Sequence, residues 1–500
     1  MAASGGKNDK GDTVTTANAI YGKIGLTSLR LIEWTNKTSV SVTVPATVQG
    51  LPVTEIGKKA FDGCAVKRIV ADHVLYIRDE AMYECFELRR FSGESVERIG
   101  GSAFCMCENL RTVSIGKAVR IDESAFHWCY SLRDVHIGSA EIIGSRAFFS
   151  CHRLRTVAAD NAAVVGDEAF YDCVSLTGVS LGKLSELGRN AFNGCAKVVV
   201  AVGEDNPDFA SADGMLVRTR DKTLVLGVNR PEVTVPDGVD TVGEGAFSGF
   251  GSLKTVSMKG VVKIRRSAFA ACANLTSVSM PDAEKISPCA FEYCVKLKTA
   301  VADKADSIGG NAFSECASLV SACFKKARKI GDGAFWNCTK LESLDAERVG
   351  NIGIRAFEGC SRLVELNLGR LTEVPEEAFS GCSRLQSAKF LANVRDIGDG
   401  SFRDCVNLSS VIADSAVSVG NRAFAGCEKL STVSLKSAKK VGDRAFDGCI
   451  SVSHIYFGKS PSLGRGALEL GTCTQRAIAT VHGPVSPVTF DNTDLVYTAE

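Results

Sequence analysis

An Ala-Phe dipeptide, with few substitutions, returns along this 500-residue chain at a nearly fixed interval, and that interval limits the possible folds more than any other feature. The ring positions are Phe61, Phe104, Phe126, Phe148, Phe170 and Phe192, then Phe247, Phe269, Phe291, Phe313, Phe335, Phe357, Phe379, Phe402, Phe424 and Phe446, with Met82 in the slot between the first two. Almost every step is 22 residues, and the unit reads (Ile/Val)-Gly-x-x-Ala-Phe-x-x-Cys-x-x-Leu-x-x-Val-x-(Leu/Ile). A chain of this length would ordinarily divide into several cores, because one core stops growing near ~250 residues. A fixed period removes that need: each position meets the same surroundings coil after coil in a one-dimensional array.

Within a unit such as Ile121 to Ile137, Leu132, Val135 and Ile137 follow Leu-x-x-Leu-x-Leu, and the last two alternate as a strand requires. That segment predicts one strand of a parallel sheet. Ala125, Phe126 and Cys129 are spaced by one and three, which places them on one face of a helical turn. Ala is small because strands stack roughly 4.8 Å apart and leave little room beside a ring. The Gly four residues before the Phe, as at Gly144, Gly166 and Gly188, is assigned a turn conformation closed to residues with a side chain.

The Ile-Gly-x-x-Ala-Phe-x-x-Cys-x-x-Leu core resembles the BspA-like leucine-rich repeats of bacterial and protist proteins, over about residues 40 to 460. Leu51-Pro52-Val53-Thr54-Glu55-Ile56-Gly57 is similar to the opening of the family's array, and Asn206-Pro207-Asp208-Phe209 with Ser211-Ala212-Asp213-Gly214-Met215-Leu216 to its longer irregular coil. The resemblance implies a non-catalytic binding surface and, for many secreted relatives, adhesion to host or neighbouring cells. Most strands here lack the family's Ile-Pro step. The expected fold is a right-handed leucine-rich-repeat solenoid of about 18 coils, with a parallel sheet on one side and short helical turns on the other.

Residues 1–15 are rich in Gly, Ser, Lys and Asp and read as a disordered tail, and 16–55 as a β-rich N-terminal cap. Repeats then occupy 56–200, enlarged irregular coils 201–240, and a second block of repeats 241–458. The ladder skips 55 residues between Phe192 and Phe247, two periods plus eleven, with Pro236-Asp237-Gly238 marking a turn before the pattern resumes, so the solenoid is expected to run through this segment. A Pro-containing stretch, 459–500, reads as a C-terminal cap.

Charge narrows the partners. Lys plus Arg number 58 against 57 Asp plus Glu, so no global field gathers phosphates or anionic lipid, and nucleic acid and membrane insertion are not expected. No eighteen-residue apolar stretch, secretory leader or lipidation signal is present in the sequence, which predicts a cytoplasmic protein.

Sixteen of the twenty cysteines stand three residues after the ladder ring, and one module has Phe250 there instead, so the position is read as core packing by a reduced thiol. Cys105, Cys289, Cys323 and Cys473 lie off the ladder, and none forms a zinc-type double Cys-x-x-Cys. Of the histidines His73, His127, His136, His152, His454 and His482, only His127 and His152 neighbour a cysteine, Cys129 and Cys151, and those thiols are expected to face inward. With no phosphate loop, Gly-x-Ser-x-Gly elbow or His-Glu-x-x-His, neither enzyme activity, cofactor nor metal is expected.

Outward strand positions hold Thr112, Ser114, Ser180, Thr255, Ser257, Ser277, Ser279, Ser321, Ser343, Ser409, Ser410, Thr432 and Ser434, a row that either tolerates a crowded ladder or forms a polar groove. The basic runs Lys325, Lys326, Arg328, Lys329 and Lys436, Lys439, Lys440 read as solvated faces. The residues just after the ring are usually small or polar. In several coils they are Tyr83, Trp128, Phe149 and Tyr171, with Tyr130 close by, and more sparsely Tyr293 and Trp336. Stacked coils would join the first group into a ridge of hot-spot composition for a protein partner, or into rings that only fold over their neighbours. The function expected is a non-enzymatic interaction scaffold, with a cell-surface or secreted adhesin as the alternative.

Overall fold

The computed structural model describes residues 13–458, 460–470, 479–482 and 495–498. The chain divides into two compact units, Met1–Asp221 with Val225–Val228, and Lys222–Leu224 with Asn229–Glu500. Both are built of right-handed coils of parallel β-structure, about 20 in all. The count exceeds the 18 expected because some coils carry no Phe. Leu468, 22 residues after Phe446, fills the ring slot at 2% exposure, and Trp34 does so before Phe61, the two rings lying 6.1 Å apart.

A regular 22-residue coil contributes two strands. A three-residue strand such as Thr112–Ser114 pairs in parallel with Asp134–His136, burying Val113 against Val135 and turning its flanking residues outward, as the alternation predicts. A second strand of two residues, Arg98–Ile99 pairing with Arg120–Ile121, precedes the turn and builds a separate sheet that the sequence reading omits, since two residues are too few to show a period.

The helical turn expected around Ala-Phe-x-x-Cys is absent. Among the described residues the one helical segment is a 3-10 turn, Lys389–Asn393, in the single coil lengthened to 23 residues. An α-helix would send every N–H four residues back along its own chain. Here the donors alternate. Ala103 N–H bonds Gly100 O and Cys105 N–H bonds Ser102 O within the coil, while Phe104 N–H and Met106 N–H cross to Ala125 O and His127 O of the next, both at 2.8 Å. Left-handed residues two before and two after the ring, such as Ser124 (φ 57°) and Trp128 (φ 60°), make these reversals, so a tight loop has the same inward spacing as a helix. The recurring Gly is also explained differently. It is not the residue at positive φ; a Cβ on Gly144 would lie 2.7 Å from Asp122 C and Glu123 N of the preceding coil.

The core is a column of rings and thiols. Phe104, Phe126, Phe148, Phe170 and Phe192 are buried and stack with centroids 5.0 to 5.4 Å apart, and Phe247 to Phe446 stack at 4.8 to 5.5 Å in the second unit. Each ladder Cys donates its thiol to the carbonyl of the ring residue one coil back, at 3.1 Å for Cys129 Sγ to Phe104 O. Cys thus supplies both a small apolar body and a donor for a second lone pair of that carbonyl.

The N-terminal cap is an antiparallel run, Thr13–Thr15, Ala19–Ile24 and Ser28–Trp34, whose last strand pairs in parallel with Leu51–Ile56. Its seam holds Glu55, 4% exposed, with Arg30 Nε at 2.6 Å and Arg78 Nε at 2.9 Å from Oε2. Burial raises the Glu55 carboxyl pKa, yet the two guanidiniums outweigh it and hold the group below its ordinary value. Of the tail expected at 1–15, only Thr13–Thr15 is described. In 201–240 the register breaks at a hairpin, Phe209–Ala212 with Met215–Arg218, turning on Asp213-Gly214, both at positive φ. Most of the cap expected at 459–500, Cys473 included, lies outside the described residues. Ala479–His482 and Leu495–Thr498 extend the sheet of His454–Phe457.

Candidate interaction surface

Two outward slots follow each ring. Tyr83, Phe149, Tyr171 and Trp336 occupy the first, Trp128 and Tyr293 the second, and Tyr130 lies two residues further on. The first slot also holds Cys105 and His127 in the coils between Tyr83 and Phe149, and His127 turns out to be the link. Its ring lies 4.2 Å from Trp128 and 4.8 Å, edge-on, from Phe149, which stacks on Tyr171 at 4.8 Å and 8°. Trp128, His127, Phe149 and Tyr171 therefore form one half-buried strip across three consecutive coils. Their faces are used on each other, so edges point to solvent.

The remaining candidates are not part of it. Tyr83 is separated by the buried Cys105 and approached by Lys59 Nζ at 6.0 Å. Tyr130 stacks on His152 at 5.0 Å, and His152 Nε2 meets Asp172 Oδ2 at 3.0 Å. Tyr293, half exposed, and Trp336 belong to the second unit. The 22-residue register places His127 in the same slot as Phe149 and Tyr171. Burial, then the charge of Arg146, lowers its pKa, and its Nε2 has no partner, so this ring is kept neutral as packing.

Part of the other surfaces is satisfied within the chain. Ser114 Oγ bonds Glu94 and Ser434 Oγ bonds Asp414, both at 2.5 Å, while Ser409 Oγ caps Gln386 O at 3.1 Å. These hydroxyls serve the preceding coil. Three members of the basic runs are paired in the same way: Lys325 to Asp303 at 3.5 Å, Arg328 to Asp306 at 3.4 Å and Lys436 to Asp414 at 3.1 Å.

The sequence pattern of the BspA type leucine rich repeat region matches residues 36–155, 119–201, 227–342, 284–409 and 397–472, which together take in more than half of the chain. The chain is a BspA-type leucine-rich repeat protein. Among solved structures, this BspA-type chain is similar to a leucine-rich cell surface protein of Faecalibacterium prausnitzii, with 21% identity over 91% of this chain and 97% of that one, at a TM-score of 0.43. It is also similar to a leucine-rich repeat protein of Bacteroides ovatus, with 23% identity over 89% and 94% at 0.44, and to the pneumococcal vaccine antigen PcpA, with 16% over 89% and 93% at 0.45. No curated protein matches it in sequence.

The BspA-type core places its thiols where they cannot act as nucleophiles. Burial raises Cys129 and Cys151 well above the ordinary thiol value, and both thiols point at carbonyls rather than at His127 or His152. Cys323, on the outward phase of its strand, is only partly buried, but desolvation and the Asp303 carboxylate at 3.2 Å push it up to about 11. Among the described residues no group of three or more His, Cys, Asp or Glu side chains is arranged to hold a metal ion.

Proposed function

We propose that this protein is a non-enzymatic interaction scaffold that holds a protein partner along the strip Trp128, Phe149 and Tyr171 of the first unit, with Tyr83 and Tyr130 as outlying contacts there, and with Tyr293 and Trp336 as separate candidate contacts on the second unit. The observation that carries the reading is that these rings are extra to the core. The ladder closes with Asn193-Gly194 or Asp447-Gly448 in the same slots, so coil stacking does not require aromatic residues there. A strip of ring edges joined coil to coil has the composition and rigidity enriched at interface hot spots. The test compares partner recovery and melting temperature for the wild type and for Trp128→Ser with Tyr171→Ser. Lost partners at unchanged melting support the reading. A large fall in melting temperature, or full recovery, assigns the rings to packing alone.

The compartment is a second proposal. Membership of the BspA type favours a surface adhesin over the cytoplasmic protein expected above, because adhesion is the role the resemblance implies for secreted relatives. No helix among the described residues is long and apolar enough to cross a membrane. Protease shaving of intact cells tests this second proposal, which fails if the chain is released only after lysis.

A further inference from the structure

The slot immediately before the three-residue strand holds Lys67, Arg89, Arg111, Arg133 and Arg155 in five successive coils of the first unit. Backbone bonds set the first four in register, Arg89 N–H to Lys67 O at 2.9 Å, Arg111 to Arg89 O at 2.9 Å and Arg133 to Arg111 O at 3.0 Å. Arg155 takes the same slot one repeat later. The four arginines are exposed, and among the described residues none of the five side chains makes an ion pair or hydrogen bond. Elsewhere some inter-coil cations are matched by an acid one coil away, as Arg98 is by Asp122, Arg146 by Glu168 and Lys304 by Asp282.

Like charges stacked at one strand spacing repel, so the column works against folding unless something else uses it. The repeat does not demand it. In the second unit the same slot reads Lys254, Thr276, Lys298, Val320, Glu342 and Val364. Beside the column a recess of about 230 Å³ opens on the sheet face, with Arg68, Arg90 and His136 on its rim.

We propose that this arginine column is a docking track for an acidic segment of a partner protein. Planar guanidiniums repeated along a line suit carboxylates, which they bind in a two-pronged geometry, and the recess gives an acidic side chain a place to enter. A peptide with spaced carboxylates fits better than a nucleic acid strand. The outward strand positions beside the column carry Arg68, Arg90, Thr112, Asp134 and Thr156, a row with no run of aromatic side chains on which successive bases could stack, and Asp134 interrupts a continuous line of phosphates. The inference rests on the scaffold reading but uses a different surface.

The experiment measures fluorescence anisotropy of a labelled peptide of alternating Glu and Ser, and of a labelled oligothymidylate, against the full chain. The peptide is expected to bind, to weaken as salt rises, and to bind roughly tenfold less tightly to Arg89→Gln/Arg111→Gln/Arg133→Gln. That variant is expected to melt at the same or a higher temperature, since it relieves repulsion. A Lys254→Gln/Lys298→Gln control is expected to bind as the wild type does. Absent peptide binding, equal binding by the triple variant, or tighter oligothymidylate binding through the same arginines overturns the proposal. An unaffected triple variant alongside an intact Trp128 and Tyr171 effect overturns the track and leaves the scaffold reading standing.

Discussion

Replacing Phe313 by Ala removes a ring that is fully buried between Phe291 at 5.2 Å and Phe335 at 5.5 Å, with Phe324 at 5.7 Å on a third side. Returning the ring's apolar surface to the solvent reference costs ~2 kcal/mol. The neighbours cannot close the void, because their backbones are tied to adjacent coils by bonds such as Phe313 N–H to Ala334 O at 2.8 Å and Phe291 N–H to Ala312 O at 2.8 Å. A residual cavity of roughly 80 Å³ at about 24 cal/mol per Å³ adds ~2 kcal/mol, for a total of about 4 kcal/mol. Urea unfolding followed by hydrogen exchange is the assay. The transition midpoint should fall, and protection should be lost first in the coils of Phe291 and Phe335, since each coil touches only its neighbours. An unchanged midpoint, or loss spread evenly through the unit, refutes the reasoning.

Glu55 predicts a pH dependence. Its folded pKa lies below an unfolded value of about 4.3, so its contribution is complete above that value and disappears as pH falls through the lower folded one. Glu55→Gln should therefore lower the melting temperature at neutral pH, with a loss of ~1 to 3 kcal/mol of stability, and the gap from wild type should shrink as pH falls below the unfolded value; a gap that widens in acid contradicts the clamp. Gly144→Ala forces a Cβ to within 2.7 Å of the backbone of the preceding coil and should cost ~1 to 3 kcal/mol, whereas a neutral result would show that the coils have room to separate.

The period, the coil and the buried ladder were readable because each is set by a side chain that recurs: Phe126, Cys129, Leu132 and Val135 report the same inward face every 22 residues. What the backbone does between those residues was not readable. Side-chain spacing of one and three is shared by a helical turn and by the loop at Ser124 and Trp128, and the choice depends on hydrogen bonds to the next coil, which leave no mark on residue type. Coils without Phe were lost for a related reason, as Leu468 and Trp34 satisfy the ring slot by size rather than identity. Of the candidate surface, the sequence supplied the rings but not their grouping. Trp128 and Phe149 sit in different slots and meet only through His127. The arginine column is equally periodic, but a near-zero net charge carries no trace of how like charges align locally.

The central claim is that the repeating cysteines are core, bonded to the carbonyls of their neighbours, and are not chemistry. Its most direct test is maleimide labelling of the native protein at neutral pH, read thiol by thiol by mass spectrometry before and after denaturation. Among the described cysteines, labelling before denaturation is predicted to be confined to Cys289 and Cys323, which are only partly buried, and to be slow at Cys323 because its thiol is pushed up to about 11. The sixteen ladder thiols are predicted to react only after unfolding, and all as free thiols. Most of them labelled in the folded chain, or joined as disulfides, would contradict the account.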